Sequence, residues 1–245
     1  MDFRNKTALI TGASVGIGRA TALKMAEYGA KLVLLDMNYE KLKEVKNELS
    51  GYTNDVLIYE CDVSDEEKVY SLVKEAKSVF GKIDILVNNA ALWRCNSSFI
   101  DTPCDEWKKF LDVNIMSVVY LTKAVLPDMM QNGYGRIINL ASVAGVYGNA
   151  NMVHYSATKG AIISMTKALA KEVSDKGVTV NSISPGSVND SSDPDINASV
   201  PSTLSFTGRT GTAAENAELI CFIASDKAGY ISGQNIQIDG CRKKQ

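Results

Sequence analysis

The chain has 245 residues, 26 Lys and Arg against 28 Asp and Glu, a formal net charge of −2 and 45 % hydrophobic residues. That length and apolar share suffice for one α/β domain with a large core, and the charge balance gives no electrostatic reason to expect nucleic acid or an anionic membrane as a partner. Five scattered cysteines, one histidine and no C-x-x-C pair point to free thiols in a reducing cytoplasm and away from a metal centre.

In chain order, residues 6–11 (KTALIT) form a short apolar run that predicts a first strand and leaves no signal peptide before it. Gly12, Gly16 and Gly18 follow in the pattern T-G-x-x-x-G-x-G, and helical periodicity runs over 19–28. Strand, glycine turn and helix are the context a dinucleotide-binding loop requires, because glycines let the backbone approach a pyrophosphate at the positive end of the helix. A glycine pattern by itself is equally a tight connection with no ligand. Residues 31–36 predict a second buried strand that ends in Asp36. A carboxylate there accepts from the adenosine ribose hydroxyls and repels a 2′-phosphate. Val15 and Met37 stand where a basic side chain would otherwise welcome that phosphate, so the reading is NAD(H) over NADP(H). The plain alternative is that Asp36 caps the next helix.

A third strand ends at Cys61-Asp62-Val63, and a fourth over 83–87 leads into Asn88-Asn89-Ala90-Ala91. Thr102-Pro103 opens a long helix expected to reach about Met130, with Asn114 inside it. The strand over 136–140 precedes Ser142, a helix is expected over 153–171, and the strand over 178–183 precedes Pro185-Gly186. Residues 187–207 are rich in Ser, Asp, Asn and Pro, and an irregular segment of that length predicts a lid or a disordered loop. The run 231–240 reads as a closing strand, and Arg242-Lys243-Lys244 as a solvated tail. Strand signals alternate with helical ones about seven times, which implies a parallel sheet wound by helices on both faces. No stretch reaches the roughly 18 to 20 uninterrupted apolar residues of a membrane span.

Tyr155 and Lys159 are four residues apart, on one face of the predicted helix. A free tyrosine has a pKa near 10 and is a poor base at neutral pH. An ammonium beside it favours the phenolate, and a phenol so tuned can exchange a proton with an alcohol or ketone.

With T-G-x-x-x-G-x-G, D-V, N-N-A-A, a serine 13 residues before Y-x-x-x-K, and P-G all in order, the chain resembles the short-chain dehydrogenase/reductase family. The likeness is to its compact single-domain form and extends over nearly all of 6–240. It implies one Rossmann-type doubly wound parallel sheet, with the loop at about 187–207 over the substrate. It also implies that Gly12, Ser14, Gly16, Ile17, Gly18, Asp36, Asp62, Val63, Asn89, Tyr155, Lys159, Pro185, Gly186 and Val188 hold NAD. Catalysis would fall to Asn114, Ser142, Tyr155 and Lys159. Ser142 would fix the substrate oxygen, Tyr155 take or give its proton, and Lys159 tune the phenol and bond the nicotinamide ribose. Asn114 would hold a water in a proton relay. The resemblance further implies a homo-oligomer, tetramer or dimer, formed through the two long helices, where Val118, Val119, Leu121, Ile162, Ile163 and Met165 are apolar.

Three features depart from the family pattern: Ala91 in place of a glycine, Asp190 in place of a threonine, and the polar lid. Candidates for the substrate pocket are Trp93, Arg94, Val143, Ala144 and residues 147–152. His154 should point about 100° from Tyr155. The expected activity is hydride transfer between NAD(H) and a secondary alcohol or ketone, with a hydroxysteroid or a polyol as substrate. The alternative is a 3-oxoacyl-(acyl-carrier-protein) reductase-like enzyme of fatty acid synthesis, which predicts NADPH preference and a basic docking surface. A third reading is a nucleotide-fold binding protein without chemistry.

Overall fold

The computed structural model describes residues 1–93, 96–189 and 191–243. Seven strands form one parallel sheet: β1 (Thr7–Thr11), β2 (Lys31–Asp36), β3 (Val56–Glu60), β4 (Ile85–Asn88), β5 (Gly135–Leu140), β6 (Val178–Pro185) and β7 (Asn235–Ile238), in the order β3-β2-β1-β4-β5-β6-β7. β1, β4, β5 and β6 are buried along their whole length, as expected of a parallel sheet covered on both faces.

The period-2 alternation of a strand divides the core in two. Ala8, Ile10, Leu32 and Leu34 face one layer, which receives α1 (Gly16–Glu27), α2 (Tyr39–Leu49) and α8 (Ala213–Ala224). Leu9, Val33 and Leu35 face the other, which receives α3 (Glu66–Phe80), α5 (Ser117–Gln131) and α7 (Val153–Val173). The described residues also include two shorter α-helices, α4 (Cys104–Leu111) and α6 (Val143–Tyr147). The segment Cys104–Gln131 is long and apolar enough by length and composition to cross a membrane, and here Leu121, Ala124, Val125 and Met129 pack into the sheet's core.

Three boundaries differ from the sequence reading. α1 begins at Gly16, inside the glycine turn. The long helix is interrupted at Asp112–Met116 by a π-helical turn carrying Asn114. Only Asn235–Ile238 of the predicted closing run pairs with β6. The interface residues also divide: Val118, Leu121 and Ile162 are buried, whereas Val119, Ile163 and Met165 are half-exposed.

Strand order reverses between β1 and β4, the neighbours from which the chain winds outward in opposite directions. Crevices at such a switch point, beyond the carboxyl ends of the strands, are where open α/β sheets bind ligands.

Candidate functional site

A cleft of about 880 Å3 opens at that switch point. Its floor is the turn after β1. Gly12 and Gly16 have φ of +63° and +54°, the left-handed region that favours glycine. A Cβ on Gly18 would collide with the Gly12 carbonyl oxygen and lie 2.6 Å from Asn89 Nδ2. Gly18 therefore supports the turn from beneath without lining the cleft. Asn89 braces it from the β4 side, where its Nδ2 donates to the carbonyls of Thr11 at 2.9 Å and Gly12 at 3.0 Å. Thr11 Oγ1 accepts in return from the Asn89 and Ala90 N–H groups, both at 3.0 Å. α1 starts here with no side-chain cap and no acidic residue in its first turn. Its first N–H groups and its dipole are thus left for an anion. Ala91 has a negative φ, so the methyl group in place of hydrogen is accommodated.

Asp36 stands at the end of β2. One of its oxygens accepts from the Ser14 N–H at 3.0 Å and the other from the Asn38 N–H at 2.9 Å. The cap of α2 is Asn38, whose side chain accepts from the Lys41 N–H, so Asp36 is not the capping residue. Asp62 and Val63 line the same end, with Asp62 Oδ1 held by the Ser64 N–H and hydroxyl. Burial pushes the adjacent Cys61 thiol up to about 11, so this cleft residue offers no thiolate at neutral pH.

At the other end, Ser142, Tyr155 and Lys159 line the cleft together. Ser142 caps α6, its hydroxyl accepting from the Ala144 N–H at 3.1 Å. Lys159 Nζ lies 5.9 Å from the Tyr155 ring centroid and donates to the Leu140 carbonyl at 2.6 Å. Burial lowers the Lys159 ammonium to about 8. Gly145 lets α6 lie against α7, since a Cβ there would sit 2.5 Å from the Lys159 carbonyl carbon. Asn114 is buried and outside the cleft. Its Oδ1 accepts from the Leu92 N–H at 2.8 Å, and its Nδ2 donates to the Leu92 carbonyl at 3.0 Å and Thr158 Oγ1 at 3.1 Å. It ties the segment after β4 to the helix that carries Tyr155 and Lys159.

Ile17, Pro185, Gly186 and Val188 also line the cleft, as do Trp93, Val143, Asn149 and Met152. Ala144 and Tyr147 do not, and the Tyr147 hydroxyl donates to Gln237 Oε1 at 3.1 Å. His154 points away into a nest of Phe110 and Trp107, with Nε2 3.1 Å from Glu106 Oε1. Arg94 and Asp190 lie outside the described residues. Among the described residues, the polar segment after Gly186 has isolated bridges but no helix before α8. It folds over the glycine turn, where Arg19 Nη1 donates to the Pro194 carbonyl at 2.9 Å.

Lys109, Asp112, Val113 and Arg242 line the cleft although the sequence reading missed them. Nothing local marks the first three, which arrive through the α4–π-turn geometry. Arg242 corrects the expectation of a solvated tail. Its side chain is half-buried, because the chain beyond β7 turns back over the cleft.

The family model described as enoyl-(acyl carrier protein) reductase matches residues 12–241. The chain is 37 % identical over 248 aligned residues to the 3-oxoacyl-(acyl-carrier-protein) reductase FabG of Salmonella typhimurium strain LT2, covering 98 % of both chains. It is 35 % identical to FabG of Thermotoga maritima, again over 98 % of each. Among solved structures, that of an NAD+-bound xylitol dehydrogenase superposes with a TM-score of 0.89 at 32 % identity, covering 98 % of this chain and 100 % of the other.

Proposed function

Because this chain belongs to the short-chain dehydrogenase/reductase family of oxidoreductases, we propose that it transfers hydride between NAD(H) and a secondary alcohol or ketone. The observation that carries the reading is the convergence of Ser142, Tyr155 and Lys159, from separate elements, on a cleft whose far end has the glycine turn and Asp36. The residues present fit a nicotinamide dinucleotide. The turn is closed to side chains and leaves the α1 N-terminus open to a pyrophosphate. Asp36 keeps acceptor positions for ribose hydroxyls and carries a charge that disfavours a 2′-phosphate.

A bound nicotinamide supplies the hydride acceptor or donor. The protein supplies the proton chemistry: Ser142 Oγ donates to the substrate oxygen, and the Tyr155 hydroxyl gives or receives that oxygen's proton. The Lys159 ammonium, held by the Leu140 carbonyl, favours the phenolate in the direction of alcohol oxidation. Asn114 acts as a positioning residue that fixes α7 against the segment after β4.

For the substrate, the names of the curated relatives support a 3-oxoacyl group over a steroid. A polyol stands as the second reading because of the xylitol dehydrogenase neighbour. Assembly of one domain into a tetramer or dimer, with the loop after Gly186 closing over substrate, belongs to the same proposal. The test is oxidation of NADH and NADPH with a 3-oxoacyl thioester, set beside NAD+ reduction with xylitol. NADH consumption with the thioester is expected. Activity with NADPH alone, or with neither substrate, would overturn the reading.

A further inference from the structure

We propose that Arg242 reads an anionic group, carboxylate or phosphate, on the substrate, and so sets the substrate class of this cleft. The inference rests on reading the cleft as that of an alcohol/ketone oxidoreductase. It starts from how the end of the chain is built. After β7, Gly240 and Cys241 adopt consecutive left-handed conformations, with φ of 62° and 58°. For cysteine that region is uncommon and unfavourable. The turn is held by Asp239 Oδ1, which accepts from the Cys241 N–H at 3.0 Å. The reversed chain is then bonded to the segment after Gly186. The Thr207 N–H donates to the Gly240 carbonyl, the Phe206 N–H to the Cys241 carbonyl, and the Lys243 N–H to the Leu204 carbonyl.

The effect is to fix Arg242 on the cleft wall, at the substrate end. Its Nη2 donates to Asn149 Oδ1 at 3.3 Å, and that oxygen accepts no other bond among the described residues. The Asn149 N–H donates to Ser156 Oγ at 3.1 Å, next to Tyr155. Met152, in contact with Asn149 through its sulfur, lines the same wall.

Among the described residues no carboxylate side chain pairs with Arg242. Among the described residues, Arg4, Arg19, Arg136 and Arg209 each pair with a carboxylate. Arg242 has a single long bond to a neutral amide. A half-buried guanidinium with most of its donor fork unused is suited to bidentate capture of a carboxylate or phosphate. A basic side chain held in place by a turned-back backbone, against the cleft that carries Tyr155, suits a ligand group better than a surface one.

The experiment measures kcat/KM with NADH for two matched pairs of ketones. One pair is 3-oxobutanoate and its methyl ester; the other is the coenzyme A thioester and the N-acetylcysteamine thioester of the same acyl group. Arg242→Ala is expected to lower the charged-to-neutral ratio of one pair by about tenfold to a hundredfold, the size of a charge-assisted hydrogen bond. Arg242→Lys should retain part of that ratio, because it keeps the charge and loses the fork. A drop confined to the first pair identifies a substrate carboxylate, and a drop confined to the second a carrier phosphate. Unchanged ratios, or equal losses on all four ketones, would overturn the role of Arg242. So would a parallel loss of NADH affinity, read by fluorescence, which would assign the guanidinium to the cofactor. No turnover of any ketone by the wild type would overturn the reading of the site itself.

Discussion

Neutralising Asp36 should collapse the choice between NADH and NADPH, and the geometry sets the size of the change. Its two oxygens are each fixed by one backbone N–H, from Ser14 and Asn38, so the carboxylate cannot swing away from an incoming phosphate. Two unit charges 4 Å apart interact by about 1 kcal/mol in bulk water and about 4 kcal/mol at an effective dielectric constant of 20. A phosphate monoester with nearly two charges doubles both figures, to roughly 2 and 8 kcal/mol. Asp36 is half-exposed at the edge of an open cleft, so solvent and salt favour the lower part of that range, about 2 to 4 kcal/mol. That corresponds to NADH binding roughly 30- to 1000-fold more tightly than NADPH. The assay is nicotinamide fluorescence titration of both cofactors against wild type, Asp36→Asn, and the double variant Asp36→Ala, Met37→Arg. Asp36→Asn keeps an acceptor for one N–H while removing the charge, and should bring the two dissociation constants together. The double variant should invert them. Melting curves separate lost binding from a lost fold. A wild type that prefers NADPH, or an Asp36→Asn variant with the wild-type ratio, would refute the reasoning.

Gly18→Ala should lose NADH binding and thermal stability together, at a cost above the usual 1 to 3 kcal/mol of overpacking, roughly, since its neighbours are backbone and an Asn89 Nδ2 already bonded to two carbonyls; unchanged melting would contradict the account of the turn. Arg209 holds the Glu215 carboxyl down at about 2, against an ordinary value of 4.5. A folded-state value below the unfolded one gives stability that is complete above about pH 4.5 and lost as the pH falls toward 2. Wild type should therefore exceed Glu215→Gln in urea midpoint at pH 7, with the gap closing near pH 2. Lys159 has the opposite sign. Burial lowers its ammonium from 10.5 to about 8, so between those values the unfolded chain binds more protons and stability rises with pH. Relative to Lys159→Met, wild type should gain stability from pH 8 to pH 10, and a flat difference would show that the amine is not buried in solution.

The parts of this molecule visible in the sequence are those fixed by neighbours along the chain. β1 and β2 announce themselves as apolar runs because both faces of each are covered. The Gly12 to Gly18 turn is legible because positive φ and close backbone approach exclude other residues. Tyr155 and Lys159 share a helix face by simple periodicity. Other features arise from contacts far apart in the chain. The π-helical turn at Asp112–Met116 directs Asn114 toward Leu92 and Thr158, and no local spacing encodes those partners. Arg242 follows a basic tail pattern but is drawn onto the cleft by backbone bonds to a loop more than thirty residues earlier. His154, beside Tyr155 in sequence, belongs to an aromatic nest instead of the site, because consecutive helix residues face different ways.

The central claim is that the Tyr155 hydroxyl carries the proton that accompanies hydride transfer, and single-turnover kinetics of Tyr155→Phe test it most directly. Mixing the NADH-loaded variant with a 3-oxoacyl substrate should show hydride transfer slowed by about a hundredfold to ten-thousandfold, while the NADH dissociation constant stays at the wild-type value. Hydride transfer at the wild-type rate without that oxygen would contradict the account.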